Sequence, residues 1–387
     1  MTSRILVKPV MIRWAIETSK LSLAQVTELF PKLKQWLATE CELSISEIQK
    51  LSKTLQIPFG YLLLSQPPAE EPTLLKHRTI NNLEHERASR DLLDTIYLME
   101  AKQTFMRESL IDDGFLPHDF IGSVTLNDSP ENVAKSICAT LKLSTTWNLN
   151  DTSTLGYLKR ASSNAGILIM QNGIVGNNTH RYLDINEFRA FVLLDEYAPL
   201  IFLNSRDSQH AKIFSLCHEL AHIWLGESDF FNDHIQQENH YLNAKVEHFC
   251  NDVAAEMILP REQLISYYDP KLSNTDNITL LAKHFCASDL VICLRLKKLN
   301  LIEKREFEQL YPALVEKMRQ NLALKDSSAG GNYYNTQLSR LDHNFIALVD
   351  QKAQEGKILY SEAYELLGAK GKTYDNLIQH LEEQLYG

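Results

Sequence analysis

The sequence predicts an α+β chain that is mostly helical, and three features of its 387 residues carry that expectation. Apolar residues recur at three- or four-residue spacing over most of the length, and several of those runs open on a helix-capping signal. Between residues 166 and 203 the pattern changes to short apolar runs bounded by Asn-Gly and Pro, which is how a small sheet reads. At 211–225 a strongly apolar helical run carries His-Glu-x-x-His. The expected organisation is a helix-turn-helix bundle at 1–68, a helical connector at 69–150, a central module with a small sheet at 151–305, and a helical C-terminal region at 306–387.

The N-terminal region is read from short amphipathic segments. Val10, Trp14 and Ile16 start one helix. Ser22-Leu-Ala-Gln25 is a capping box before Leu23, Val26 and Leu29, and Ser44-Ile-Ser-Glu47 is another before Ile48, Leu51 and Leu55. Leu33 and Trp36 fit a short helix between them. Short helices joined by short turns make a helix-turn-helix bundle, closed by Pro58 to Pro68. Arg4, Lys8, Arg13, Lys20, Lys32, Lys34, Lys50 and Lys53 outnumber Glu17, Glu28, Glu40, Glu42 and Glu47, so the region is mildly basic. Lys32, Lys34 and Gln35 sit where a recognition helix meets the major groove. A bundle that docks without touching DNA is the competing reading.

The connector holds Pro72, Lys76, His77 and Arg78, then a long helix over 84–110 with Leu92, Leu93, Ile96, Met99 and Phe105 on one face. Ser129-Pro130-Glu131 opens another helix by the N-cap and proline-first rules. Both read as packing elements. A helix with Leu155, Leu158 and Ala161 leads to a strand at Gly166-Ile-Leu-Ile-Met170. Turns follow at Asn172-Gly173 and Gly176-Asn-Asn178, then strands at 188–194 and 200–203. The edge of such a sheet can pair with an extended peptide. Arg189 suits either a substrate clamp or a structural ion pair.

Within 211–225, Phe214, Cys217, Ala221 and Trp224 recur at helical spacing, so His218-Glu219-Leu220-Ala221-His222 lies on a buried helix. Side chains four apart on a helix are neighbours, and two imidazoles so placed can share one Zn²⁺ at about 2.0–2.1 Å. Glu219 lies about 100° around the helix from His218 and cannot ligate beside it. It can instead take a proton from a water that the metal activates. With 13 histidines, the motif arises by composition in roughly 3 chains in 100, so a histidine pair satisfied by packing is the bland alternative. The following helical run, Lys245 to Leu259 with Pro260 as its stop, weighs against it. A helical site of this kind needs a third protein ligand, and Leu225 and Ser228 stand where the metzincin pattern needs Gly and His. Glu247 is the chosen ligand, with Asn251 one turn on as the hydrogen-bond partner of a ligating histidine. His248, Asp252, Glu256, His234 and His240 are its rivals. The donor that stabilises an oxyanion stays open among Tyr241, His240, His180 and Tyr182.

Residues 261–305 read as a helix pair (Ile278, Leu281, Ala282, Phe285; then Val291, Leu294, Arg295, Leu299) that packs against the metal-site helices, with nucleic-acid contact as the lesser reading. Lys325 to Asn332 is flexible in composition. Beyond it come helices broken at Glu355-Gly356, Gly368 and Lys370-Gly-Lys372. The six cysteines form no CxxC pair and no disulfide framework, and no apolar run approaches the roughly 18 residues of a membrane span. No charged-then-apolar leader opens the chain. A net charge of −10 argues against broad nucleic-acid or membrane binding by the whole chain. A cytoplasmic address and no membrane partner are the expectation.

Phe188-Arg-Ala-Phe191, Ala198 to Asn204, Phe214 to Gly226 and Glu247 to Pro260 together resemble the ImmA/IrrE family of zinc metallopeptidases. Two positions differ mildly from the family pattern: Cys250 stands for its usual Ala and Ala190 for its usual Gly. The resemblance covers about residues 150–300, and the flanks look like a longer subgroup with a phage-repressor-type (XRE-like) helix-turn-helix in front. It implies a metallopeptidase domain at 151–305, with the metal on His218, His222 and Glu247 and the base at Glu219. It also implies Zn²⁺ as cofactor and a specific protein substrate, typically a helix-turn-helix repressor in phage, mobile-element or stress regulation. The alternative is an antitoxin-like regulator that binds DNA and grips a toxin partner, such as a PIN-type nuclease, without proteolysis.

Overall fold

The computed structural model describes residues 4–19, 21–68, 88–144, 146–148, 154–227, 230–231, 241–285, 287–323 and 333–386. It is an α+β chain, mostly helical with small sheets, as expected. It divides into two compact units, Met1–Leu98 and Met99–Gly387.

The first unit is a small helical bundle on a two-stranded ribbon. Strand β1 (Arg4–Val7) is followed by α1 (Pro9–Glu17), α2 (Leu23–Leu29), α3 (Leu33–Ala38), β2 (Cys41–Ser44) and α4 (Ile45–Leu55). Both anticipated capping boxes form. Ser22 accepts from Gln25 N and Ser44 from Glu47 N, while each Gln or Glu side chain reaches back to the cap backbone. The ribbon was not anticipated. β1 and β2 pair antiparallel from Arg4↔Ser44 to Val7↔Cys41 and tie the chain's start to the entrance of α4. Ile12, Ala15, Val26, Leu33, Trp36, Ile48, Leu51 and Leu55 fill the core. Gln56, in the left-handed region at φ 58°, ends α4.

Helix α5 (Arg90–Asp112) carries the chain into the second unit, where α6 (Pro130–Thr140) starts on an Ser129 cap with Pro at its first turn. After α7 (Thr154–Asn164) come β3 (Leu168–Asn172), β4 (Ile174–Val175), β5 (Asn178–Tyr182), β6 (Ala190–Leu193) and β7 (Leu200–Asn204). With β8 (Phe230–Phe231) they form a four-stranded sheet of order β3-β7-β6-β8 and a small β4–β5 hairpin. β3 and β7 run parallel and the other pairs antiparallel. The first strand starts two residues later than its apolar run, because Gly166, at φ 90°, is still part of the turn that leaves α7.

Helix α8 (Gln209–Leu225) packs on β6 and β7, and α9 (Tyr241–Ile258) packs on α8 and α6. Small side chains at Cys217, Ala221, Cys250 and Ala254, all buried, belong to this core and keep its helices close. Three helices follow, not the two expected: α10 (Arg261–Tyr267), α11 (Asn274–His284) and α12 (Asp289–Lys298). Then come α13 (Lys304–Ala323), α14 (Tyr333–Arg340), α15 (His343–Gln354), α16 (Tyr360–Leu367) and α17 (Lys372–Tyr386). The last group is fastened to the sheet through Asp342. Its carboxylate accepts from Ile169 N at 3.1 Å, Ser163 Oγ at 3.0 Å and the first backbone amides of α15. The carboxylate thereby caps the edge strand β3 as well as a helix. Among the described residues no single helix is long and apolar enough to cross a membrane.

Candidate metal centre and active site

Three local choices aim the His-Glu-x-x-His segment. At one end of α8, Ser208 caps the helix by accepting from Ala211 N. Just before it, Arg189 and Asp207 make a buried ion pair at 3.3 Å that holds the turn from β7. Arg189 thus sits in a structural ion pair, the second of its two sequence readings. At the other end Gly226 adopts φ 73°, where a Cβ would lie 2.9 Å from Gly122 Cα. The backbone there closes on the helix. Gly122 N donates to Ile223 O and Val124 N to Trp224 O, so the last carbonyls are capped by a neighbouring loop.

The segment is sealed: His218 and Glu219 are 0% exposed and His222 is 1% exposed. Facing it from α9 is Glu247, whose side chain keeps 30% exposure. The Nε2 atoms of His218 and His222 are 3.0 Å apart, and each is 3.3 Å from an oxygen of Glu247. Asn251 Oδ1 is 3.0 Å from His218 Nδ1, and the Glu227 carbonyl is 3.0 Å from His222 Nδ1. Carbonyl oxygens only accept, so both Nδ1 atoms carry the proton and both Nε2 atoms present lone pairs.

That arrangement fits a cation. Two lone pairs from fully buried rings and a partly buried carboxylate converge, which is unfavourable unless positive charge stands between them. Two donors at about 2.0–2.1 Å from one ion, at the tetrahedral angle, lie about 3.4 Å apart. The ring and carboxylate atoms here are spaced close to that. Two nitrogens and one carboxylate oxygen suit zinc, with a position left for water or substrate. Burial holds His218 below its ordinary imidazole range. Burial would also raise the Glu247 carboxyl, but a proton standing in the cation's place on a facing Nε2 outweighs it and holds that group well below the usual carboxylate range, so it is ionised.

Among the described residues, His218, His222 and Glu247 form the only cluster of His, Cys, Asp and Glu able to hold a metal. The rivals for the third position lie elsewhere. Asp252 pairs with Lys298, Glu256 pairs with Arg295 and accepts from Arg261 N, and His248 is exposed. His234 and His240 lie outside the described residues, as do Lys76, His77 and Arg78, and the Tyr241 side chain is likewise outside them. His180 is exposed on the β4–β5 hairpin, where Tyr182 lies under the Arg206 guanidinium at 4.9 Å. The Glu227 carbonyl was missed by sequence reasoning. It is a backbone group, and the only hint of it is Gly226, which turns the chain back towards His222.

Residues 163–297 match the family model of the IrrE N-terminal-like domain. This match supports the ImmA/IrrE family for the segment that holds the site, and with it a metallopeptidase-like function. A second match, over 341–380, is to a domain of unknown function (DUF8813), which spans α15 and α16 and the first part of α17. No curated protein matches the chain.

Proposed function

We propose that the chain is a zinc-dependent endopeptidase that cuts one specific protein in the cytoplasm. The observation that carries the reading is the pair of imidazole Nε2 lone pairs, 3.0 Å apart, turned towards the ionised Glu247. His218, His222 and Glu247 would hold the metal. Bound there, zinc supplies a Lewis acid that polarises a peptide carbonyl and makes water acidic enough to attack near neutral pH.

The chain's own residues do the rest. Asn251 and the Glu227 carbonyl fix the tautomer and rotation of the two imidazoles, which keeps the donors in place. Glu219, on the same helix and excluded from ligation by its position, takes the proton from the attacking water and returns it to the leaving nitrogen.

The resemblance to ImmA/IrrE proteins makes a helix-turn-helix repressor the favoured class of substrate. The N-terminal unit supplies a candidate DNA contact: Lys32, Lys34 and Gln35 are exposed while Leu33 and Trp36 turn inward. Lys32 is 3.7 Å from Glu47, which offsets part of its charge, so contact would rest on Lys34 and Gln35.

The test is to purify the chain, measure zinc by mass spectrometry, and incubate it with a peptide library made from host proteins. One zinc per chain, with cleavage that a chelator and Glu219→Gln each abolish, is the expected result. A Glu219→Gln variant whose peptide pattern matches wild type overturns the reading.

A further inference from the structure

The three most exposed large apolar side chains among the described residues are Leu116 at 83%, Leu359 at 68% and Phe115 at 61%. Far apart in sequence, they lie at one end of a helix pair. Phe105 of α5 meets Phe345 of α15 edge to face, ring centroids 6.1 Å apart. Asp113, just past the end of α5, holds Lys352 Nζ at 2.5 Å. The two contacts are two turns apart on each segment, so the segments run side by side in the same direction. Both run out at the same end. There Phe115 and Leu116 follow Asp113, and Leu359 and Tyr360 follow Lys357, whose Nζ is itself 3.5 Å from Asp113. Ile111 and Tyr360, both exposed, add to the apolar surface.

These side chains are held out by a bonded backbone. Phe115 N donates back to Leu110 O at 3.0 Å, which closes the end of α5. Lys357 N and Ile358 N both donate to Lys352 O, and Leu359 N donates to the Glu362 side chain at 2.7 Å. Tyr360 stands against Tyr364 and Tyr374, ring centroids 6.2 and 6.0 Å away, and the Tyr374 hydroxyl donates to Asp350 at 2.6 Å. Exposed Leu and Phe forgo the gain of burial, and a backbone fixed in this way cannot tuck them in. Apolar surface gathered in one place marks an interaction site.

The surrounding charge selects the occupant. From 107 to 119 the charged residues are Arg107, Glu108, Asp112, Asp113 and Asp119. From 353 to 366 they are Glu355, Lys357, Glu362 and Glu365. Both bases are already held, Arg107 by Asp195 at 3.0 Å and Lys357 by Glu355 at 2.9 Å. Glu108, Asp112 and Glu365 are exposed and have no basic partner among the described residues. A second copy would set this acidic rim against itself, and an anionic membrane would be repelled by it. We propose that this surface docks an amphipathic basic segment of a partner protein. Apolar side chains of the partner seat on Phe115, Leu116, Leu359 and Tyr360, and its Lys or Arg side chains meet the surrounding carboxylates. Tyr360 suits both, since its ring offers apolar area and attracts a cation to its face. Leu359 and Tyr360 lie in the 341–380 domain, whose task is then recognition.

The proposal stands apart from the peptidase reading, and the full chain carries Glu219→Gln throughout the test so that cleavage plays no part. The probe is a fluorescent helical peptide with Leu on one face and Lys on its flanks, read by anisotropy. Its control carries Glu in place of Lys. The Lys peptide should bind and the Glu peptide should not. Adding Leu116→Ser with Leu359→Ser should weaken binding at least about tenfold. Adding Glu108→Lys with Asp112→Lys instead should weaken it as well, and more at low salt than at high. All four residues are exposed, so the melting temperature should stay that of the parent. No binding of the Lys peptide, equal binding of both peptides, or binding unchanged by the added substitutions overturns the proposal. Sedimentation is run beside it: a dimer that Leu116→Ser with Leu359→Ser dissolves makes the surface a contact between copies and overturns the proposal too. So does binding to phosphatidylcholine vesicles that is lost in the same variant.

Discussion

Replacing Asn251 with alanine isolates one link in the metal centre. Asn251 Oδ1 accepts from His218 Nδ1 at 3.0 Å, and His218 has no exposed surface. Asn251 itself is half-buried, so a water that enters in its place recovers only part of the lost bond. The orphaned N–H costs about 1–3 kcal/mol. The ring also becomes free to move its proton to Nε2, the tautomer that cannot bind a metal. Since 1.4 kcal/mol is tenfold, zinc affinity should fall about 10- to 100-fold, the usual range for such partners. The assay is competition for zinc against a chromophoric chelator at pH 7. Asn251→Asp, which keeps an acceptor, should retain wild-type affinity or exceed it. An Asn251→Ala affinity within threefold of wild type would show instead that His218 holds its orientation by packing alone.

Three further outcomes follow from other contacts in the second unit. Gly226→Ala should cost about 2–4 kcal/mol in thermal denaturation, since it combines a positive φ with a Cβ driven onto Gly122; a loss under about 1 kcal/mol would contradict this. Burial lowers the Lys102 pKa from 10.5 to about 8. Between those values the unfolded chain holds a proton that the folded chain has released, so stability rises with pH across the window, by about 3 kcal/mol in all. Lys102→Met should abolish that rise, and identical pH profiles for the two proteins would count against it. Asp342→Ala leaves Ile169 N and Ser163 Oγ buried without their acceptor. Amide protection over α14–α17 should therefore fall first in hydrogen exchange while zinc is retained, and loss spread evenly over the chain would show that Asp342 is no local anchor.

What could be read from the sequence follows the range of the interactions. Both capping boxes were legible because Ser22 meets Gln25, and Ser44 meets Glu47, within one turn. The histidine pair was legible for the same reason. Glu247 could be named as a candidate because Asn251 follows it at i+4, one turn along the same face of a helix. The β1–β2 ribbon was missed because Arg4–Val7 is too short to show alternation, and its partner lies on the far side of three helices. β8, at two residues, has no pattern of its own. Asp342 was not legible at all: it contacts Ile169 across 173 positions, and Asp before a helix announces only a cap.

Proteolysis of one specific protein is tested by co-purification from the native host. Wild type and Glu219→Gln are recovered side by side, and bound proteins are identified with their termini. A partner held intact by Glu219→Gln and found cleaved, at a single site, or missing with wild type is the expected result. The same partner held intact by both would contradict it and leave a metal-binding regulator in place of a peptidase.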